Sequence, residues 1–202
     1  YVSSQLNFNN SLNGTWLGWY YFNDLNSPNG IIAHNNGYNT NGFFINTGNT
    51  FGTYTSIVFS SAIGNTNELS QTWSNEYAVT QNNWHHVAVT LSNGVISIYI
   101  DGNYNVSGNN FGQYGQFSHS IQSTNGDFLI GSGTNLTGQI DQLFNGSIDD
   151  ISVWDKALNQ SEIQDYMNCP PTGNEAGLVG YWNMDEGNGT ILTDLSGNGN
   201  DG

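Results

Sequence analysis

Carboxylates are the first residues to test for chemistry, because glycoside hydrolysis needs two of them flanking the scissile bond. Asp149 and Asp150 are consecutive, so on a regular strand they leave opposite faces, and Glu68, Glu76 and Asp127 each stand alone in polar stretches. Catalysis by a carboxylate pair is therefore unsupported. A serine nucleophile fares no better, since Ile130-Gly131-Ser132-Gly133 lacks the Gly-x-Ser-x-Gly elbow between strand and helix. His85 and His86 are neighbours on a predicted strand and cannot chelate together; one is expected inside and one outside. His34 and His119 have no cysteine or carboxylate at ligand spacing, which argues against zinc and for neutral, hydrogen-bonded imidazoles.

Binding chemistry has better material. Asp194, Ser196 and Asn198 place oxygen side chains at alternate positions before Gly199, like the first half of a calcium loop, although no glutamate closes it. Turns rich in Asn and Gly also arise for backbone reasons alone, and that reading is about twice as favoured here. Trp16, Tyr20, Trp73, Tyr77, Tyr104 and Tyr114 could offer flat faces to sugar rings. Most aromatics belong to a core, but Trp73 and Tyr77 sit in a polar, loop-like stretch and are the ligand-binding candidates.

Charge narrows the partners. One Lys or Arg against 16 Asp and Glu gives a formal charge of -15, so nucleic acid and anionic membrane surfaces are poor partners. No apolar run approaches the ~20 residues of a spanning helix, and membrane insertion is not expected. Cys169, the one cysteine, cannot close an internal disulfide, and Tyr1 does not open a signal-peptide pattern.

The elements that position these residues read as strands. Thr15 to Phe22, Ile31 to His34, Gly42 to Asn46 and Thr53 to Ser60 are aromatic or β-branched runs punctuated by Gly and Asn. Trp84 to Leu91 and Val95 to Ile100, joined by Ser92-Asn93-Gly94, form the clearest hairpin. Phe128 to Gly131 and Ile148 to Trp154 follow, the latter with Ile151 and Val153 facing a core. One short helix is predicted near residues 159–167, where Asn159-Gln160-Ser161-Glu162 has capping-box spacing and Ile163, Tyr166 and Met167 share a face.

Taken together, Trp84-His85-His86-Val87-Ala88-Val89-Thr90, Ile98-Tyr99-Ile100-Asp101-Gly102 and Phe144 to Trp154, with Ala157-Leu158 and Glu162-Ile163, resemble the bacterial laminin-G-like domains. The resemblance implies an all-β, antiparallel two-sheet jelly-roll sandwich of the concanavalin A-like kind, with Trp19 and Trp154 buried. It also implies that Asp149 holds a structural calcium ion, joined by Asp185 and the Gly187 carbonyl if the tail docks there; Ca2+ suits such oxygen ligands. Ordinary turn or edge roles for both acids are about as well favoured.

The segment Gly177 to Gly187 with Asp194 to Gly202 looks like how such a domain begins. The expected division is a sandwich over residues 1–167, a linker over 168–177, and opening strands over 178–202. Those strands either start a following repeat or, as favoured here, complete the sandwich in this chain or a neighbour, since a sandwich missing edge strands leaves backbone unpaired. Cys169 to Glu175 further resembles the joints between tandem repeats in large surface proteins of marine Bacteroidetes. The expectation is a non-catalytic carbohydrate-binding or adhesion module, secreted or on a cell surface, whose partner is an extracellular glycan or a surface protein. A spacer that assembles with neighbouring copies of itself, or an accessory module of a polysaccharide-degrading enzyme, are the alternatives.

Overall fold

A computed structural model of the chain describes residue 6 and residues 12–25, 30–35, 42–51, 53–62, 69–106, 127–134 and 139–202. In chain order the strands begin as β1 (Asn13–Phe22), β2 (Gly30–Asn35), β3 (Gly42–Phe51), β4 (Tyr54–Ala62), β5 (Leu69–Trp73), β6 (Val79–Thr80) and β7 (Trp84–Ser92). They continue as β8 (Val95–Ile100), β9 (Asn103–Tyr104), β10 (Phe128–Ile130), β11 (Gly133–Thr134), β12 (Ile140–Asp141) and β13 (Gly146–Trp154). Helix α1 (Gln160–Asn168) and strand β14 (Leu178–Trp182) follow. The first sheet runs β14-β13-β1-β7-β8-β9 and the second β10-β2-β3-β4-β5, with β6 on β4 and a separate β11-β12 pair; every pairing is antiparallel.

Period-two alternation explains how the sheets face each other. Trp16, Tyr20 and Phe22 of β1 point into the space between them and meet Phe43, Phe59 and Phe128 of the second sheet. Trp16 lies 4.4 Å from Phe43, and Phe43 stacks on Phe59 at 5.8 Å, centroid to centroid. Ile151 and Val153 face this core as expected. Between β7 and β8 the backbone turns through Asn93 (φ 49°) and Gly94 (φ 81°), the left-handed pair that a tight hairpin requires.

Nine residues make a marginal helix by themselves, so α1 depends on its cap and its seat. Asn159 accepts hydrogen bonds from the Ser161 and Glu162 amides, and Glu162 accepts one from the Asn159 amide. Ile163 and Tyr166 pack on the outer face of the first sheet against Leu17, Ala88 and Trp154. Thr15, fully buried in β1, donates to the Lys156 carbonyl and accepts from the Leu158 amide, anchoring the approach to the helix.

Strand β14 pairs with β13 and places Trp182 in the core, stacked on Phe128 at 5.7 Å. Its outer edge is occupied by the following loop. Asp194 accepts the Tyr181 amide, Leu195 donates to the Tyr181 carbonyl, and Ser196, Asn198 and Asn200 donate side-chain hydrogens to the Val179 carbonyl. These groups answer the backbone donors and acceptors that an edge strand otherwise presents to solvent or to another chain. No helix among the described residues is long and apolar enough to cross a membrane.

Candidate functional site

Trp73 lies not in a loop but at the end of β5, opposite Val58 on β4. Its ring rests against Gly48 of β3. A Cβ at position 48 would come within 2.5 Å of that ring and 2.4 Å of Ser56 Oγ, so only glycine lets the indole lie this close to the sheet. Tyr54, Ser56 and Val58 are alternate residues of β4 on this outer face. Tyr77 is 63% exposed and meets the Tyr54 ring edge-on, centroids 5.4 Å apart at 81°. Trp73 and Tyr77 thus border one strip of the second sheet, and Tyr54 joins them. The sequence placed Tyr54 on a strand without marking it; its signal was the alternation Tyr54-x-Ser56-x-Val58, polar and aromatic rather than wholly apolar. Around the strip, Gln71 donates to Ser60 Oγ at 3.0 Å, while Ser56 Oγ and Asn46 Oδ1 are buried with no hydrogen-bond partner among the described residues.

The second region is acidic. Trp19 pairs with Asp149, but Leu17 pairs with Ser152, so β13 carries an extra residue at this point. Asp150 absorbs it in the left-handed region (φ 49°). That bulge corrects the expectation of opposite faces: Asp149 and Asp150 both turn toward the outer side of the first sheet, where Asp150 accepts the Tyr181 hydroxyl at 2.8 Å. Asp149 accepts the Asp150 amide at 3.0 Å. Burial, then the charges of Asp150 and Asp185, push its carboxyl above the usual range. Burial and the same acids push the Tyr181 phenol up as well. Asp185 holds the Asn183 amide group at 3.0 Å, and Gly187, left-handed at φ 65°, follows it. Among the described residues no three His, Cys, Asp or Glu side chains gather closely enough to hold a metal by themselves. The three aspartates therefore feel one another's charge without a formed cage, and further oxygens would have to come from carbonyls such as that of Gly187.

Asp194, by contrast, is buried and committed to the backbone: it accepts the Tyr181, Ser196 and Asn200 amides. Ser196 and Asn198 donate to β14 carbonyls. The histidine pair divides, with His86 buried and His85 half-buried. His85 Nε2 accepts the Thr80 amide, which leaves Nδ1 to donate to Asp101 at 2.9 Å. Burial acts to raise Asp101, but the hydrogen bonds from His85 and the His86 amide hold its carboxyl below the usual range. Trp16 and Tyr20 are core residues, Trp154 is buried as expected, and Trp19 is only half-buried. Tyr104 is exposed on β9 against Tyr99. Tyr114, His119 and Glu68 lie outside the described residues.

A family model described as the concanavalin A-like lectin/glucanases superfamily, of laminin G type, matches residues 1–164. Adhesion G-protein coupled receptor V1 of Danio rerio is 24% identical over an alignment 163 residues long that covers 71% of this chain and 2% of the receptor. A candidate carbohydrate-binding protein from Bacteroides ovatus superposes with a TM-score of 0.65 at 19% identity, over 94% of this chain and 51% of that one. The CBM40 module of the Ruminococcus gnavus IT-sialidase, bound to α2,3-sialyllactose, superposes with a TM-score of 0.59 at 15% identity, over 77% of this chain and 83% of that one. The chain spans about half the length of the first of these structures and a small fraction of the receptor.

Proposed function

Because this chain belongs to the laminin G type of the concanavalin A-like lectin/glucanase superfamily, we propose that it is a non-catalytic, calcium-stabilised module that binds carbohydrate outside the cell. The observation that carries the reading is the strip of Trp73, Tyr54 and Tyr77, aromatic faces left on the outer side of a rigid sheet beside hydroxyl and amide groups. Apolar C–H faces of a sugar lie on such rings, and its hydroxyls bond to the polar neighbours. Similar folds include a sialoside-bound module, but a field of -15 disfavours an anionic sugar here. Calcium enters through the acidic region of the first sheet: Asp149, Asp185 and the Gly187 carbonyl would hold it, and its charge would relieve the repulsion that Asp149 now feels.

Glycan-array binding with and without calcium tests the proposal. Binding to at least one glycan, weakened by Tyr77→Ala, is the expected result, and silence on every glycan with calcium present would leave a spacer in a large surface protein as the better reading. That second reading has its own support, since the matching stretch is a small part of a very large adhesion receptor. For the metal, calcium should raise the thermal midpoint of the chain and not that of Asp149→Asn; equal midpoints with and without calcium would remove the metal from the proposal.

A further inference from the structure

The outer face of the first sheet carries another aromatic cluster, on the opposite side of the molecule from Trp73. Helix α1 covers that face around Leu17, Ala88 and Trp154. The next rung along the register sets Asp149, Trp19 and His86 side by side on β13, β1 and β7, and the rung after it sets Ser147, Tyr21 and Trp84. Rungs on one face lie about 7 Å apart. Trp84 is 44% exposed and Ser147 is exposed, while Trp19, Tyr21 and Asp149 are half-buried. The Tyr21 and Trp84 rings have centroids 5.7 Å apart and are tilted by 60°, so they make two walls of an open cradle rather than a flat platform. Trp19 is held behind them edge-on to His86, at 5.3 Å.

Charge selects the occupant. Lys156, the one Lys or Arg of the chain, is 3.4 Å from Glu162 and lies over the Trp154 ring, so no such cation faces the cradle. A carboxylated or sulfated ligand would enter the field of a chain of formal charge -15 with no Lys or Arg facing it, and an apolar side chain would bury the exposed Ser147 hydroxyl with nothing to bond it. A neutral pyranose avoids both costs, because one face of its ring is C–H and its edge carries hydroxyl donors.

We infer that the cradle of Tyr21 and Trp84 seats one residue of a neutral oligosaccharide, with Ser147 bonding one of its hydroxyls. The inference rests on the carbohydrate-binding reading and extends it: with Trp73 and Tyr77 on the other sheet, one module would present two sugar-binding faces and could bridge two glycan chains.

Calorimetric titration of the full chain with laminarihexaose, cellohexaose, maltohexaose and 3′-sialyllactose tests this. At least one neutral hexasaccharide is expected to bind, with Trp84→Ala weakening it about fivefold or more. Trp84→Phe should restore most of the affinity, Tyr104→Ala should leave it within about twofold, and thermal midpoints should show that each variant is folded. If Tyr77→Ala abolishes binding while Trp84→Ala and Tyr21→Ala do not, or if only sialyllactose binds, the cradle is not a site although the chain still binds glycan. If none of the four sugars binds, the inference falls together with the reading beneath it.

Discussion

His86 gives the sharpest test of the energetics. The residue is 1% exposed and, among the described residues, neither ring nitrogen has a hydrogen-bond partner, so a proton on it would be a buried charge. Burial lowers its pKa from 6.5 to about 4, against a smaller upward pull from the Asp101 charge. The sign follows directly: as pH falls from 7, the unfolded chain takes up this proton first, near 6.5, and the folded chain takes it up only near 4. Stability is therefore present above pH 6.5 and drains away across the interval between the two values. At pH 4.5 linkage gives a loss of about 2.5 kcal/mol from this one group. Other acids with lowered pKa values, Asp101 and Asp194 among them, add to the acid sensitivity and must be subtracted. Urea unfolding of the natural chain and of His86→Phe, at pH 7 and pH 4.5, isolates the term, because any packing cost of phenylalanine cancels between the two pH values. The variant should gain about 2.5 kcal/mol relative to the natural chain on acidification. A stability difference that stays constant with pH to within about 0.5 kcal/mol would refute the assignment of a buried, neutral imidazole.

Three further outcomes follow from packing. Gly48→Ala pushes a Cβ into Ser56, Val58 and the Trp73 ring, so it should cost about 1–3 kcal/mol in urea unfolding and change the tryptophan emission as the indole is displaced. Asp194→Ala strands three buried or part-buried amides and should cost about 2 kcal/mol or more, read from the thermal midpoint. Ending the chain at Gly177 removes Trp182 from the core and uncovers the β13 edge; size-exclusion chromatography should show aggregation or loss of the folded monomer, and an unchanged, stable monomer would mean β14 contributes little.

The hairpin at Asn93-Gly94, the inward Ile151 and Val153 and the capped helix were legible because each depends on residues a few positions apart. The Asp149-Asp150 pair was misread for the opposite reason. A bulge is decided by how two distant strands align, and nothing local in Ser147-Ile148-Asp149-Asp150-Ile151 announces that Asp150 adopts a left-handed backbone. Trp73 was read as loop because Gln71, Ser74 and Asn75 surround it, whereas its strand position is fixed by pairing with β4 and by the space that Gly48 leaves. Similarly, Trp19 is half-buried because the apolar cluster that α1 covers holds Leu17, Ala88 and Trp154 and not the Trp19 ring, a fact about helix placement that the β1 sequence does not contain.

The neighbours of β1 also set a clock on folding. Its Thr15 hydroxyl bonds to the Lys156 carbonyl 141 residues away, and β13 lies directly beside it, whereas its other neighbour, β7, comes from mid-chain. Half of the central strand's pairing must therefore wait for a very long loop to close, an entropic toll met before any contact rewards it. Until then the aromatic side of β1 has an open flank, so the slow step and the sticky intermediate are the same event, and refolding on the millisecond-to-second scale with a concentration-dependent yield is what this topology entails.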